Sequence, residues 1–271
     1  MSIDFIFIGP SKTASTWIYK ALDEHPAFSL PKSKDIYFFD QFYDKGLNWY
    51  KDQFQNCNLS KIVGEFSHDY ILSESALNRI KEYNSSIKII LCLRNPYERT
   101  ESGVKFLQRN GYGFGELKDL IVKHDELING SLYGKNLELV YSIFPKENVL
   151  LLDYSKLQEN PDLFLLDIYE FFDVEDHKPS ILNKKVNKAK SARFKMLSLL
   201  MKKTALLIRR CGGGSIVGYL KMSPLVSKLL FKEEKDSFRL NNNDRDLLSN
   251  FFTEDIKKLE IISGRNFDEW K

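Results

Sequence analysis

The chain of 271 residues is 43% hydrophobic and 28% charged, which excludes disordered, collagen-like and coiled-coil proteins. Its three cysteines show no CxxC spacing and its four histidines are dispersed, so we expect neither a disulfide framework nor a metal site. No apolar run approaches the roughly 20 residues that span a bilayer, and the amino terminus lacks the basic region of a secretory signal. We therefore expect a cytoplasmic protein.

The net charge of +3 conceals one strongly basic segment. Between His177 and Lys232 there are eleven lysines and three arginines but no aspartate or glutamate. Such a segment attracts phosphates, anionic lipid headgroups or an acidic polymer, although a solvated lysine-rich surface has the same composition. Within it, residues 194–231 are predicted to form two amphipathic basic helices hinged at Gly212–Gly214. Three roles are open for this helical insertion. It binds peripherally to an anionic membrane surface, it guides an anionic substrate to the protein, or its apolar residues only complete the core.

Apolar runs alternate with amphipathic segments along the rest of the chain. The pattern predicts strands over residues 3–8, 61–66, 88–93 and 148–154, and helices over residues 16–24, 73–83, 97–108, 133–144, 163–172 and 243–262. Strands that alternate with helices indicate a parallel sheet with right-handed crossovers. We therefore predict an α/β protein of one domain over residues 1–271, with a P-loop-like three-layer fold in which helices flank a central parallel sheet.

The turn between the first strand and the first helix is a candidate phosphate-binding loop. Several backbone N–H groups and the positive end of a helix converge there. Its polar side chains add one mobile cation and several hydroxyl donors, although hydroxyl-rich loops are also common without a ligand. The candidate residues are Ser11, Lys12, Thr13, Ala14, Ser15 and Thr16.

A second motif follows the strand at residues 88–93. Arg94 stands at the carboxyl end of this strand, where open α/β sheets bind ligands, and Ser102 lies two helical turns further on. The two side chains are placed to bind one phosphate together. The alternative is an ordinary surface pair of Arg94 with a glutamate.

The loop is not that of a nucleoside triphosphatase. The motif GxxxxGK[ST] needs its lysine directly before the helix-starting Ser or Thr, whereas Lys12 comes four residues before Thr16. In addition, no aspartate closes the strand Leu91–Leu93 to hold magnesium. A nucleotide kinase therefore remains a weaker alternative.

Together the two motifs resemble the sulfotransferases that use 3′-phosphoadenosine 5′-phosphosulfate (PAPS). The turn P-S-K-T-A-S-T-W and the later R-N-P-x-x-R-x-x-S-x-x-x-F are similar to that family in both residues and order. The resemblance covers about residues 3–193 and the last helix, in the style of the glycan-modifying and bacterial members. Further similar segments are His25-Pro26, Pro31–Asp40, Gly46–Tyr50, Gly64–Tyr70, Phe144–Pro161 and Gly264–Trp270.

The resemblance implies a role for each matching residue in binding the donor. Lys12 matches the lysine that stabilises the leaving phosphate, and the hydroxyl residues after it match the cradle of the 5′-phosphate. Arg94 and Ser102 match the pair that binds the 3′-phosphate. Lys190 matches, faintly, a late loop that closes over this phosphate. Ala14 departs from the family because a glycine is usual there, which narrows the freedom of the backbone.

The resemblance also implies the reaction. The family transfers the sulfuryl group of PAPS in line to a hydroxyl or amine, without a metal, and its glycan-modifying members act on carbohydrate. Glu65, in Gly-Glu-x-Ser, matches the carboxylate that activates the acceptor, and His68 is a rival base three residues along. We expect a glycan or glycolipid acceptor and no nucleic acid partner. The alternatives are a small natural product as the acceptor and a non-catalytic protein that binds anionic membranes through residues 177–232.

Overall fold

A central sheet of five parallel strands organises the part of the chain that the structure describes. This computed structural model describes residues 2–112, 115–182, 190–192, 204, 208, 231–233 and 238–270. The strands are β1 (Phe5–Gly9), β2 (Phe28–Ser29), β3 (Ile62–Phe66), β4 (Lys88–Leu93) and β5 (Val149–Asp153). They lie in the order β2-β3-β1-β4-β5, so the strand that precedes the candidate phosphate loop is central.

Helices connect these strands and cover both faces of the sheet. They are α1 (Ser15–Asp23), α2 (Gly46–Asp52), α3 (Glu74–Tyr83), α4 (Pro96–Arg109), α5 (Leu117–Lys123), α6 (Glu126–Asn129), α7 (Tyr133–Ile143), α8 (Tyr154–Glu159), α9 (Pro161–Phe172) and α10 (Asn242–Ser263). The short strands β6 (Lys190–Ala192) and β7 (Phe231–Glu233) pair antiparallel in a separate ribbon. The predicted α/β fold with a parallel sheet between helical layers is confirmed.

Alternation along β1 explains the three layers. Phe5 and Phe7 point into one apolar core with residues of α1 and α9, whereas Ile6 and Ile8 point into the other with residues of α3, α7 and α10. Because successive side chains of a strand point to opposite faces, a strand that is apolar throughout has to be covered on both sides. All five residues of β1 are buried.

Most predicted elements lie within two residues of the observed ones. Ser73 caps α3, since its hydroxyl oxygen accepts the N–H of Ala76 at 3.2 Å. The short elements β2, α2, α5, α6 and α8 were not predicted, because each is too short to establish a periodicity. The predicted hairpin at residues 194–231 lies outside the described residues, apart from the single helical positions Thr204 and Ile208.

Candidate active site

The segments after β1, β2 and β3 meet helix α4 at the carboxyl edge of the sheet and surround a cavity of about 300 Å³. Lys12, Ser15, Thr16, Lys34, His68 and Arg99 are among the residues that line it. Open α/β sheets bind ligands at this edge, beside a central strand from which the chain continues in both directions. The cavity therefore lies where the fold itself predicts a ligand.

The phosphate loop keeps an unusual backbone conformation. Lys12 (φ 72°) and Ala14 (φ 67°) both occupy the left-handed region, which a Cβ atom disfavours. Gly9, at φ 114°, is required for a second reason, because a Cβ there would lie 2.7 Å from the backbone nitrogen of Asp69. The loop after β3 thus packs directly against the loop after β1.

Helix α1 begins within this loop without a side-chain cap. Ala14 occupies the N-cap position, and no side chain accepts a hydrogen bond from the first turn. The first N–H groups of a helix have no partner within the helix, and together with the helix dipole they favour an anion. The predicted cradle is therefore open at its backbone.

The hydroxyl groups of the loop have two different functions. Thr13 is fully buried and donates its hydroxyl to the carbonyl of Pro10 at 2.7 Å, so its predicted donor is used inside the loop. Ser15 and Thr16 line the cavity, and both oxygens accept hydrogen bonds of 3.0 Å from the Nζ of Lys34. Each of these two hydroxyls therefore keeps its own hydrogen for a ligand.

Two lysines consequently face one cradle. Lys34 belongs to the segment after β2, and its place in the site was not predicted, although the segment Pro31–Asp40 was noted as similar to the family. The Nζ of Lys12 lies 4.3 Å from the centroid of the Phe106 ring. Burial, together with the neighbouring cations Arg109, Arg94, Arg99 and Lys34, lowers the pKa of Lys12 to about 7. An anion in the cavity would restore the charge of Lys12.

The R-N-P motif extends the positive charge along the loop. The Nη1 of Arg94 donates to the carbonyl of Lys12 at 3.3 Å, and its Nε and Nη2 donate to Glu98 at 3.2 Å. Arg94 therefore contacts the phosphate loop and also forms the ordinary surface pair with a glutamate. Ser102 does not line the cavity within the described residues, although its neighbour Gly103 does. Lys190 lies in β6, and its side chain is outside the described residues.

Arg99, the second arginine of this motif, holds the loop in place. Its side chain is 2% exposed and donates from Nε to the carbonyl of Ser11 at 3.0 Å. The same guanidinium binds the carbonyls of Glu126 and Leu127, each at 3.2 Å, and the Ser131 hydroxyl at 2.9 Å. The sequence motif contains this arginine, but only the structure reveals that it cross-links the phosphate loop to α6.

His68 is on the wall of the cavity, between two acidic residues. Its Nδ1 lies 2.6 Å from Asp69 Oδ2, and its Nε2 lies 2.8 Å from the Tyr37 hydroxyl and 3.6 Å from Asp35 Oδ1. Burial lowers the pKa of His68, but the carboxylates of Asp69 and Asp35 outweigh it and hold the pKa above its usual value. Asp69 also accepts the N–H of Ser11 at 3.1 Å, which joins the imidazole to the phosphate loop.

Glu65, the predicted base, is beneath the cavity and not on its wall. The residue is fully buried, and its carboxylate accepts the hydroxyls of Tyr50 (2.5 Å), Ser67 (2.5 Å) and Tyr70 (2.8 Å). Burial raises the pKa of Glu65 to about 7, although these hydrogen bonds act in the opposite direction. The structure therefore brings Lys12 and His68 to one cavity and does not bring Glu65 there.

Outside this cavity, the described residues form other surface grooves but no cluster of metal-ligating residues and no membrane-spanning helix. Two surface grooves have larger volumes, of about 730 and 560 Å³. Each has only one basic residue among its described lining residues, Lys61 in the first and Lys135 in the second. Within the described ranges, no three His, Cys, Asp or Glu residues are placed to hold a metal ion. None of the described helices combines the length and apolarity needed to cross a membrane.

The strain at Ala14 gives a prediction about stability. Replacing Ala14 with glycine is expected to raise the free energy of unfolding by about 0.5–1 kcal/mol, because glycine adopts φ 67° without a steric penalty. Urea titration of the two proteins measures the difference. Ala21→Gly, within α1, is the control and should be destabilised by about 1 kcal/mol. An Ala14→Gly protein that is less stable than the original would contradict the assigned backbone strain.

The fold and the cavity are those of an open α/β protein with a cavity at the carboxyl edge of its parallel sheet. A model of the sulfotransferase domain family matches residues 2–230. The chain therefore belongs to the sulfotransferase family.

Individual relatives agree with this family. The chain is 31% identical over 114 residues to the membrane-associated sulfotransferase kil1 of Dictyostelium discoideum, covering 40% of this chain and 24% of that protein. It is 29% identical over 171 residues to the human heparan sulfate glucosamine 3-O-sulfotransferase 5, covering 58% and 49%. The matched region thus spans a quarter to a half of these curated relatives.

Solved structures of sulfotransferases superpose on this chain with the same fold. A sulfotransferase from Alicyclobacillus acidocaldarius superposes with a TM-score of 0.73 at 16% identity and covers 100% of this chain and 99% of its own. The mouse sulfotransferase SULT7A1 complexed with PAP superposes with a TM-score of 0.54 at 16% identity, covering 100% and 87%. These likenesses support the three-layer arrangement described above.

Proposed function

We propose that the protein transfers the sulfuryl group of PAPS to a hydroxyl or amine of an acceptor. The observation that carries this proposal is the convergence of Lys12 and Lys34 on an uncapped helix N-terminus, with Arg94 bonded to the same loop. PAPS supplies the sulfuryl group and carries anionic groups at both its 5′ and 3′ positions. Lys12 and Lys34 line the cavity beside open backbone N–H groups, and Arg94, outside the cavity wall, adds positive charge by bonding the same loop, which suits such a ligand.

In this proposal the protein positions the donor and balances charge. The S–O bond to the 5′-phosphate breaks while the acceptor oxygen or nitrogen forms the new bond to sulfur, so negative charge develops on the phosphate oxygen. Lys12 is the cation for that charge, and the hydroxyls of Ser15 and Thr16, held by Lys34, donate to the phosphate. Arg94 and Ser102 are proposed to bind the 3′-phosphate.

The proton of the acceptor is proposed to pass to His68. Asp69, whose pKa is held below its usual value by His68 despite burial, accepts the Nδ1 hydrogen at 2.6 Å, which leaves Nε2 as the basic nitrogen. Nε2 faces the Tyr37 hydroxyl at 2.8 Å, and an acceptor group bound there takes the place of that phenol. Asp35, 3.6 Å away, stabilises the imidazolium that results.

Glu65 is the competing proton acceptor that the sequence predicted. Its carboxylate accepts three hydroxyls and is fully buried, whereas a general base must reach the acceptor directly or through one water. We therefore propose His68 as the base, and variants of both residues decide between them.

A carbohydrate is the proposed class of acceptor. It is supported by the likeness to enzymes named for heparan sulfate, at 29% identity over 171 residues and over 58% of this chain. A small natural product is the alternative. Donor binding measured by calorimetry, followed by transfer from radiolabelled PAPS to a panel of desulfated glycosaminoglycan oligosaccharides, simple glycosides and phenols, tests the function and separates the two acceptor classes.

Donor recognition gives a second prediction. The product 3′,5′-adenosine bisphosphate (PAP) is expected to bind about 10- to 100-fold more tightly than AMP, because a charged hydrogen bond left unmade costs about 1.5–3 kcal/mol. Calorimetry with both nucleotides measures the ratio. Arg94→Gln should remove most of it, and Arg79→Gln, a variant of an arginine near the Tyr43 ring and Phe39, should not. Equal affinities for the two nucleotides in the original protein would exclude a 3′-phosphate site.

A further inference from the structure

The strongest unassigned feature is the hydrogen-bond network around the buried carboxylate of Glu65. We infer that Glu65 is a positioning residue that holds the segment Asp35–Phe39 against His68, and thereby sets the geometry of the acceptor end of the cavity. This inference rests on the proposed function for its consequence in transfer, but not for the network itself. It assigns to Glu65 a role other than proton transfer.

The carboxylate organises two hydroxyl groups on one side. Glu65 Oε1 accepts both the Ser67 hydroxyl at 2.5 Å and the Tyr70 hydroxyl at 2.8 Å, while Oε2 accepts the Tyr50 hydroxyl at 2.5 Å. All four residues are at most 1% exposed. A buried carboxylate is stable only when such donors satisfy it, so the three hydroxyl hydrogens are directed toward Glu65.

The two hydroxyls that donate to Oε1 also hold the segment Asp35–Phe39. The oxygen of Ser67 accepts the backbone N–H of Tyr37 at 3.1 Å, and the oxygen of Tyr70 accepts the backbone N–H of Phe39 at 3.3 Å. Because each hydroxyl has one hydrogen, its donation to Glu65 fixes its lone pairs toward the segment. Glu65 therefore orients the two hydroxyl oxygens that accept the backbone N–H groups of Tyr37 and Phe39.

This stretch of chain needs such support. Asp35 (φ 62°) and Tyr37 (φ 56°) both occupy the left-handed region, a conformation that persists only when the surroundings impose it. The N–H of Asp35 bonds the carbonyl of Phe66 at 2.7 Å. The backbone N–H groups of Asp35, Tyr37 and Phe39 are thus all bonded to the end of β3 or to the residues after it. The bonds of Tyr37 and Phe39 depend on hydroxyls that Glu65 orients.

The segment delivers two groups to His68. The Tyr37 hydroxyl lies 2.8 Å and the Asp35 carboxylate 3.6 Å from Nε2. Loss of the network would free the backbone of Tyr37, and with it the hydroxyl that faces the imidazole, without affecting Asp69, which binds Nδ1. A physical path therefore runs from Glu65 through Ser67 and Tyr37 to the proposed base.

Four variants separate positioning from proton transfer. Glu65→Gln keeps an oxygen that accepts hydroxyls but is not a base, and Glu65→Leu keeps similar volume with no hydrogen bond. Ser67→Ala cuts the link to Tyr37. Tyr50→Phe is the matched control, because it removes one hydrogen bond to Glu65 on the side away from the segment while preserving the ring that packs on Phe38.

Amide hydrogen exchange of residues 35–39, measured by NMR with PAP as the added probe, is the primary readout. We expect exchange at Tyr37 to accelerate about tenfold or more in Glu65→Leu and Ser67→Ala, and to change less than about threefold in Glu65→Gln and Tyr50→Phe. The ring resonances of His68 should shift in Glu65→Leu and Ser67→Ala but not in Glu65→Gln or Tyr50→Phe. Amides of β4 and β5 should keep their protection in all four, which separates a local change from loss of stability.

The inference is overturned if Glu65→Leu and Ser67→Ala leave the segment's exchange and the His68 resonances unchanged. If Glu65→Leu does not fold, Ser67→Ala alone decides. It is also overturned if Glu65→Gln loses transfer from radiolabelled PAPS by about 100-fold with exchange unchanged, since that is the result expected of a base. Failure of the original protein to bind PAP would instead reject the proposed function, and the exchange data would still report on Glu65.

Discussion

Replacing Lys12 with methionine is expected to lower the rate of sulfuryl transfer by about 10²- to 10³-fold, the usual effect of removing one preorganised donor to a developing anion. Methionine keeps the length of the side chain and its contact with Phe106, so the loss reports on charge. The rate with radiolabelled PAPS measures the effect. Lys32→Met is the control, because Lys32 is an exposed lysine outside the cavity wall, and its rate should stay within about twofold.

The pH dependence of donor binding identifies the same lysine independently of any acceptor. Burial and the nearby arginines lower the pKa of Lys12 to about 7, so in the empty site its ammonium group loses its proton as the pH rises above 7. A bound anion favours the ammonium and raises this pKa. The affinity for PAP should therefore fall above pH 7, by at most about tenfold per pH unit. Calorimetry should find this fall in the original protein but not in Lys12→Met, and a fall that persists would assign it to another group.

The sequence is sufficient to predict the strands and the location of the phosphate loop, because both depend on local patterns. An uninterrupted apolar run such as β4 is typical of a parallel strand that is covered on both faces. The loop follows a buried strand directly, so its place at the carboxyl edge of the sheet is a consequence of topology. Lys12 and Arg94 were predicted at this edge, and in the structure Arg94 donates a hydrogen bond to the carbonyl of Lys12.

The acceptor end was not predictable in the same way. Lys34 and Asp35 line the cavity from the segment after β2, which has left-handed backbone at Asp35 and Tyr37. A single sequence gives no signal for such a conformation when no glycine marks it. Glu65 and His68 are only three residues apart, yet one is beneath the cavity and the other on its wall. Glu65 lies within β3, where alternation directs its side chain away from the face of Phe66. His68 lies beyond the end of the strand, where no periodicity predicts the direction of its side chain.

Replacing His68 with asparagine is expected to reduce the rate of transfer by about 10²- to 10⁴-fold, the usual contribution of a general base. Asparagine keeps an N–H for Asp69, so the loop after β3 and the affinity for PAP should be preserved. Asp69 and Asp35 hold the pKa of His68 above its usual value despite burial. Because the neutral imidazole is the base, the rate of the original protein should fall as the pH decreases through this raised pKa.

That acidic limb should be absent from the residual activity of His68→Asn. His177→Asn provides the control, because His177 contacts His25, with 5.2 Å between the ring centroids, and does not line the cavity. The decisive comparison is with Glu65→Gln, measured with the same donor and acceptor. A slow His68→Asn and an active Glu65→Gln assign proton transfer to the cavity wall, whereas an active His68→Asn and a slow Glu65→Gln return it to the buried carboxylate. The assignment holds only if the acidic limb disappears together with the imidazole, since a variant that merely disturbed the fold would lower the rate at every pH.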